Sequence, residues 1–468
     1  MSSVAIIGGG ISGLAAAFEL ASRSVPFVLF ERGPRCGGVI RTETIDGYII
    51  DAGPDALLTQ KPAALALCRE LGISDRLASQ HARHTFVVRD GRLQRLPEAS
   101  VFGIPQQWAP FVTTRAFSLA GKLRMAAECV IPSHPPAGDE SIASFIGRRF
   151  GREAVDYLAE PLLAGIHGGD PAKLSMRSAF PRFLELEAKS GSVIRGLRCQ
   201  SALTPQTPRS GQTPFVALPG GMAELTETLL QKLPAGSIRT EAVVDDVSPS
   251  PDGYLLRMTD GTRVIAPAVI VATPPRVTST IVRGIDDRLS ALCAQIPSTS
   301  AVTVALGYAR TAIRHSLNGT GFVAPRCETL SIRAASWVSS KWGGRAPADR
   351  ALLRAYVGGA SDPTAIDRPD AEIVGQTIHD LRKLLNIHGD PELVRVYRWR
   401  DATPQLVVGH QATMAEIERR LPAHPGLAIT ASGFRGTGIA DAVSDARRQA
   451  AAIAANVDVK AYNLALTT

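Results

Sequence analysis

A strand, a glycine turn and a helix open the chain, the same three elements close it, and strand-rich and helical stretches lie between. These observations predict an α/β fold combined with α+β, in which one nucleotide-binding layer is discontinuous and other domains are interleaved with it. The layer is expected to comprise residues 1–80, 215–280 and 396–468, an inserted domain 81–110 and 281–395, and a helical region 111–214. Within the last, residues 189–214 are rich in Ser, Thr, Gln, Pro and Gly, and are read mostly as a mobile loop.

Each element has a local cause. Val4–Ile7 is a short apolar run with the look of a buried strand, Ile11–Leu20 carries good helix formers, and Phe27–Phe30 is a second buried strand ending at Glu31. Tyr48–Ile50 reads as a strand leading into Asp51-Ala52-Gly53-Pro54, and Pro62–Leu71 as a helix. Asp90-Gly91 marks the turn of a hairpin over Thr85–Leu96. Residues 115–185 are mostly helical in pattern, interrupted by a proline-rich bridge at 131–136. Strands return at Ala242–Val247, Tyr254–Met258 and Val264–Val271, then at Ala301–Gly307 and Ala351–Val357, followed by a helix at Ala371–Leu385. Leu427–Thr430, the glycine turn Gly433–Gly438 and an alanine-rich helix from Asp441 to Asn456 complete the pattern.

The first glycine turn fits G-x-G-x-x-G as Gly8, Gly10 and Gly13, with Gly9, Ile11 and Ser12 between them. The first glycine permits the tight turn, the second lets backbone approach a pyrophosphate, and the third brings helix and sheet close together. The helix N-terminus offers free N–H groups to the anion. Glu31 stands about twenty residues on, at the end of the next strand, where a carboxylate can accept from ribose hydroxyls; Arg32 beside it joins the same set. This is a Rossmann-like dinucleotide site. FAD is favoured over NAD by Gly37-Gly38 with Arg41, by the rigid turn at Gly53-Pro54, and by Gly433–Gly438, whose following helix can stabilise charge on a reduced flavin.

Composition narrows the class further. The 51 Lys+Arg against 43 Asp+Glu give a net charge of +8, which suits anionic partners. With aromatics at 5% and no basic run interleaved with them, nucleic acid is not expected. Cys36, Cys68, Cys129, Cys199, Cys293 and Cys327 are scattered without C-x-x-C spacing, and no H-E-x-x-H pair occurs, so no metal site is expected. The first strand begins at Val4, leaving no room for a leader, and no apolar run of about 18 residues spans a bilayer. The expectation is a cytoplasmic protein, with room for a peripheral position on the inner face of the membrane.

Gly8–Gly13, Glu31, Gly37-Gly38, Gly53-Pro54, Ala272-Thr273-Pro274-Pro275 and Gly433–Ala442 follow the order of the amine oxidase-like flavoprotein superfamily, which the chain resembles. Residues 165–175, Gly-Ile-His-Gly-Gly-Asp-Pro-Ala-Lys-Leu-Ser, with Gly191–Gly196 and Pro219–Met222 downstream, resemble the protoporphyrinogen oxidase family, including its coproporphyrinogen-oxidising bacterial form. The resemblance implies an FAD-binding domain interleaved with a substrate-binding domain and a helical region, for which membrane contact is one of two readings. It places the ADP half of FAD on Gly8–Gly13 and Glu31, with the Val243 backbone at the adenine. Gly38, Val39, Gly53, Pro54, Asp55, Ala56, Ser432, Thr437, Gly438 and Ile439 would line the flavin, and Trp399 would stand where the chain returns to that domain with Pro404-Gln405 and Gly409-His410. Gly169 would lie close to the tetrapyrrole.

The reaction so implied removes hydride from a meso carbon to the flavin with loss of an N–H proton, repeated until the macrocycle is aromatic, with molecular oxygen as acceptor. Because the cofactor carries the chemistry, no catalytic acid or base is named. His167 is a tempting base, although a lone histidine by a glycine loop is more often structural. Relatives that pair a propionate with an arginine before the hairpin aromatic have no counterpart here: Thr85 holds that place, leaving Arg89 as the candidate cation. Ile104–Gly121, with Trp108, Phe111 and Phe117, reads equally as a membrane-contacting surface or as core. Rival readings are an amine oxidase, a carotenoid desaturase, or a flavin-free binding protein on the same fold. A homo-oligomer, or handover of product to the next haem-pathway enzyme, is compatible with the sequence.

Overall fold

In the computed structural model, which describes residues 3–97, 100, 101, 104, 105, 107–203 and 213–465, the two chain ends meet in one parallel sheet. Its strands run in the order Ile238–Arg239, Phe27–Phe30, Val4–Ile7, Val269–Val271, Leu427–Ile429. Val4 and Ile6 face a core shared with helices Ile11–Ser22 and Ile439–Ala465, while Ala5 and Ile7 face a second core beneath the antiparallel strands 244–266. Burial on both faces explains why these strands read as unbroken apolar runs.

A seven-stranded sheet forms the second layer, ordered Leu393–Pro404, Ser298–Ala309, Arg350–Gly358, Ala334–Trp337, Gly321–Val323, Thr85–Arg89, Arg92–Arg95. The hairpin at its edge turns through Asp90 and Gly91, both at positive φ (52° and 68°), as a two-residue turn of that composition requires. Helices Ile142–Phe150, Glu160–His167, Pro181–Ser190 and Val193–Leu203 pack a separate core against the sheet residues Val87, Val323 and Ala334.

The structure corrects the sequence reading in three places and, for the aromatic stretch, decides between its two readings in favour of core. Val193–Leu203 is helix rather than loop, because the buried carboxylate of Glu128 accepts from Val193 N–H (2.8 Å) and Ile194 N–H (3.2 Å) at its start; residues 204–212 of the expected loop lie outside the described residues. The stretch Val264–Val271 is two strands in two sheets, Arg263–Ala266 and Val269–Val271, parted at Pro267, which has no N–H for a ladder. A boundary at 396 cuts the strand Leu393–Pro404, which pairs with Ser298–Ala309 over nearly its whole length. Phe111 and Phe117 are 1% and 3% exposed and belong to the helical core, with Trp108 packed against it beneath Arg198.

Candidate cofactor and substrate site

All strands of the parallel sheet point the same way, so the loops that follow them gather at one edge. There the turn at 8–10, Glu31, the segment 239–243, Ala272–Pro275 and the turn 433–438 converge. Gly37 N–H donates to Gly9 O (2.7 Å), bringing the second glycine pair against the first. The Glu31 carboxylate bridges two backbone donors, accepting from Gly9 N–H (2.7 Å) and Gly33 N–H (2.8 Å). Ala242 N–H donates to the main-chain Glu31 O (2.9 Å), which ties the segment before Val243 to the end of that strand; Val243 itself is 36% exposed. Arg32 is exposed.

The three motif glycines separate into two kinds. A Cβ on Gly8, which has φ +104°, would stand 2.7 Å from the Ala272 carbonyl oxygen, and one on Gly13 would collide with the Gly8 carbonyl. Those two glycines serve the fold. Gly10 caps the helix with φ −70° and ψ −179°, and a Cβ there would meet no protein atom within 4 Å. The recess above Gly10 adjoins the unpaired N–H groups of the first helical turn, so it suits an anion such as a pyrophosphate. Gly38 borders it, its own Cβ position 3.2 Å from Gly10 Cα. The residues fit a dinucleotide.

The loop at 51–56 is held from outside. A Cβ on Gly53 would collide with Val39 O, so these two segments lie in direct backbone contact. Ala52 O accepts from Thr303 Oγ1 (3.0 Å) and from Trp399 Nε1 (3.0 Å). Arg354, 3% exposed, donates to Gly53 O (2.9 Å) and to Asp51 O, with Tyr356 Oη as a further acceptor. Lys341 pairs with Asp55 (2.9 Å). Burial works against the Asp55 carboxylate, yet Lys341 and Arg354 outweigh it and hold its pKa below the ordinary carboxylate range. Asp51 is buried, pairs with Arg345 (3.1 Å) and accepts from Thr42 Oγ1 (2.6 Å) and Met222 N–H (2.7 Å). Thr303, Lys341 and Arg354 escaped the sequence reading because no local motif announces them; they act across some three hundred residues of chain.

The closing turn is internally braced. Gly433 N–H donates to Gly436 O (2.8 Å), Ser432 Oγ to Thr437 O (3.1 Å), and Gly438 N–H to Asp441 Oδ2 (3.3 Å). Gly433 rests on Pro404 and Pro275, so Ala272–Pro275 serves as the seat of this turn. Ile439 begins the last helix, and Lys61 pairs with Asp441 in its first turn (2.6 Å).

The expected substrate residues fare differently. Gly169 is buried between Leu174 and Gln405, where any side chain would intrude, and Gly168 O accepts from Ala360 N–H (2.7 Å) across to the sheet. His167 ends the helix Glu160–His167, and its side chain lies outside the described residues. Arg89 is not brought to the glycine turns: it pairs with Glu153 (2.5 Å), donates to Ala116 O (2.9 Å) and lies over the Tyr157 ring. Its guanidinium is thus already engaged within the helical region.

Residues 11–454 match the family profile described as flavin containing amine oxidoreductase. The chain is 37% identical to the coproporphyrinogen III oxidase of Bacillus subtilis, over 95% of this chain and 96% of the relative. It is 32% identical to that of Staphylococcus aureus, over 95% and 97%. A solved structure from Exiguobacterium sp. 255-15, provisionally assigned as a protoporphyrinogen oxidase, superposes with a TM-score of 0.85 at 28% identity, covering 97% of this chain and 98% of that one.

Proposed function

Because the chain belongs to the flavin containing amine oxidoreductase family, we propose that it is an FAD-dependent porphyrinogen oxidase of haem biosynthesis. Its substrate is coproporphyrinogen III or protoporphyrinogen IX, and its acceptor is molecular oxygen. The observation that carries this reading is the likeness to coproporphyrinogen III oxidases along nearly the whole chain. That likeness supports coproporphyrinogen III as the first candidate, and its propionates in place of vinyl groups suit a chain of net charge +8.

We assign the ADP half of FAD to Gly8–Gly13, Glu31, Arg32 and Val243, and the flavin to Gly38, Val39, Gly53–Ala56, Trp399, Ser432 and Thr437–Ile439. FAD, when bound, supplies the hydride acceptor. The chain's own work is positional. Thr303, Trp399, Lys341 and Arg354 fix the 51–56 loop, and the first turn of the last helix offers N–H groups toward negative charge.

Purified protein is expected to be yellow and to generate porphyrin fluorescence from coproporphyrinogen III in air at least about tenfold faster than an enzyme-free blank. A yellow protein no faster than the blank sinks the substrate assignment and moves the search to amines and polyenes. A protein that stays colourless after incubation with FAD sinks the enzyme reading and revives a flavin-free binding role.

Peripheral membrane contact belongs to the same proposal, on a surface other than the aromatic one read from the sequence. No described helix is long and apolar enough to cross a membrane. Val112, Leu119, Leu123 and Val130 are instead 64%, 75%, 65% and 80% exposed around the helices Trp108–Thr113 and Leu119–Ala126. Leu119 and Leu123 share a face at i,i+4, and Lys122 lies between them in sequence. Apolar side chains near a basic one suit an anionic lipid surface. The wild type should float with anionic liposomes, and Leu119→Ser/Leu123→Ser should remain in the soluble fraction with full flavin content. Equal recovery of both in the soluble fraction removes the idea.

A further inference from the structure

His410 carries a feature that cofactor binding as described leaves unused. It begins the helix His410–Arg420 directly after Gly409, which is in the left-handed conformation (φ +90°), and it is 5% exposed. Its Nε2 lies 2.8 Å from Phe434 O, and Phe434 is 1% exposed at the heart of the 433–438 turn. A carbonyl can only accept, so Nε2 carries the hydrogen and donates it. Burial lowers the imidazole pKa, which keeps the ring neutral.

The same junction is tied on its other side to the helical region. Asp139 accepts from Gly409 N–H through Oδ2 (3.1 Å) and from Ser175 Oγ through Oδ1 (2.9 Å). Ser175 N–H donates to Leu406 O (2.8 Å), and Val408 N–H to Lys173 O (2.9 Å). Gly169 packs against Gln405 at the start of this short ladder. A continuous chain of bonds thus runs from residues 169–175 through 405–410 to the Phe434 peptide.

We propose that His410 is a positioning residue that holds the 433–438 turn in its FAD-binding shape and couples it to the 169–175 segment. The turn needs such a support. Its backbone passes through φ +102° at Gly433 and +146° at Gly436, and Phe434 O is buried with His410 as its side-chain donor. Without that donor the buried carbonyl turns to find another partner, and the N–H groups after it lose their aim. A turn that must be re-formed on binding lowers cofactor affinity by the fraction of molecules already formed.

The inference rests on the FAD assignment, and its test separates the two. Apo-protein is titrated with FAD, following flavin fluorescence, for the wild type, His410→Leu and His410→Gln. His410→Leu should bind FAD about tenfold more weakly, with an unchanged far-UV spectrum, while His410→Gln, which keeps an N–H donor, should recover to within about threefold. Wild-type affinity in His410→Leu overturns the proposal, as does an equal loss in both variants. Should His410→Leu fail to fold, Asp139→Asn decides: it leaves the imidazole in place, loosens the junction from Ser175, and should weaken FAD binding by about threefold. No change in that variant overturns the coupling. A wild-type apo-protein that takes up no FAD overturns both the coupling and the flavin reading.

Discussion

Gly10→Val should give a folded, colourless protein whose FAD affinity has fallen by at least about a hundredfold. The expectation turns on the contrast among the three motif glycines. Gly8 sits at φ +104°, and a side chain on Gly13 would enter the Gly8 carbonyl, so substitutions at either position damage the strand–helix junction itself. Overpacking of that kind costs about 1–3 kcal/mol and would confuse lost binding with lost fold. Gly10 has an extended backbone that any residue adopts, and no protein atom lies within 4 Å of its missing Cβ. The Cβ of a valine therefore displaces no protein atom. It fills the recess over the helix N-terminus, where the pyrophosphate would otherwise meet the free N–H groups. The check pairs thermal unfolding of the apo-protein with visible flavin absorbance after incubation with FAD. Unchanged unfolding with no bound flavin is the expected result. Stoichiometric flavin in Gly10→Val would show that the pyrophosphate does not sit on this turn.

What was legible in the sequence is what depends on short range. The glycine motif, the buried strands beside it and the Asp90-Gly91 hairpin each follow from residues within a few positions of one another. Helix Val193–Leu203 was not legible, because its polar composition suggests a loop and its N-terminus is satisfied by Glu128, more than sixty residues earlier. The strand Thr42–Ile45 went unread for a related reason: Thr-Glu-Thr-Ile has no apolar alternation, and it is held by pairing with Tyr48–Asp51. At the candidate site, the glycine turns could be named from sequence, whereas their supports could not. Arg354 and Lys341 look like ordinary surface cations until a strand of the seven-stranded sheet and the short helix Val338–Lys341 carry them to the 51–56 loop. Arg89 shows the converse, since a cation well placed in the sequence is taken up by Glu153.

The second large effect concerns stability. Glu128→Leu and Arg149→Met should each destabilise the helical region by about 3–5 kcal/mol. Glu128 is fully buried and accepts from Arg149 Nε (2.9 Å), Ser192 Oγ (2.6 Å), Val193 N–H (2.8 Å) and Ile194 N–H (3.2 Å). Arg149, 1% exposed, also donates to Ile131 O (3.2 Å), Pro132 O (3.1 Å) and Gly191 O (3.0 Å). One ion pair thus joins the proline-rich bridge, the end of helix Ile142–Phe150 and the start of helix Val193–Leu203. Removing Glu128 leaves the buried guanidinium with only Glu187, 3.5 Å away and already paired with Arg148, as counter-charge, and a helix N-terminus without its acceptor. Removing Arg149 leaves the carboxylate uncompensated and strips the donor from the Ile131, Pro132, Gly191 and Glu128 carbonyls. The double variant should cost less than the sum of the singles by about 2 kcal/mol, because each single already contains the penalty of an unpaired buried charge. It should not regain wild-type stability, since the carbonyls served by Arg149 and the N–H groups served by Glu128 remain unsatisfied. Urea unfolding followed by far-UV circular dichroism measures the cycle. None of these groups touches the parallel sheet, so flavin content in the folded fraction should match the wild type. Single-variant losses under about 1 kcal/mol would mean that water enters and pairs the abandoned charge, and that this cluster does not hold the helical region together.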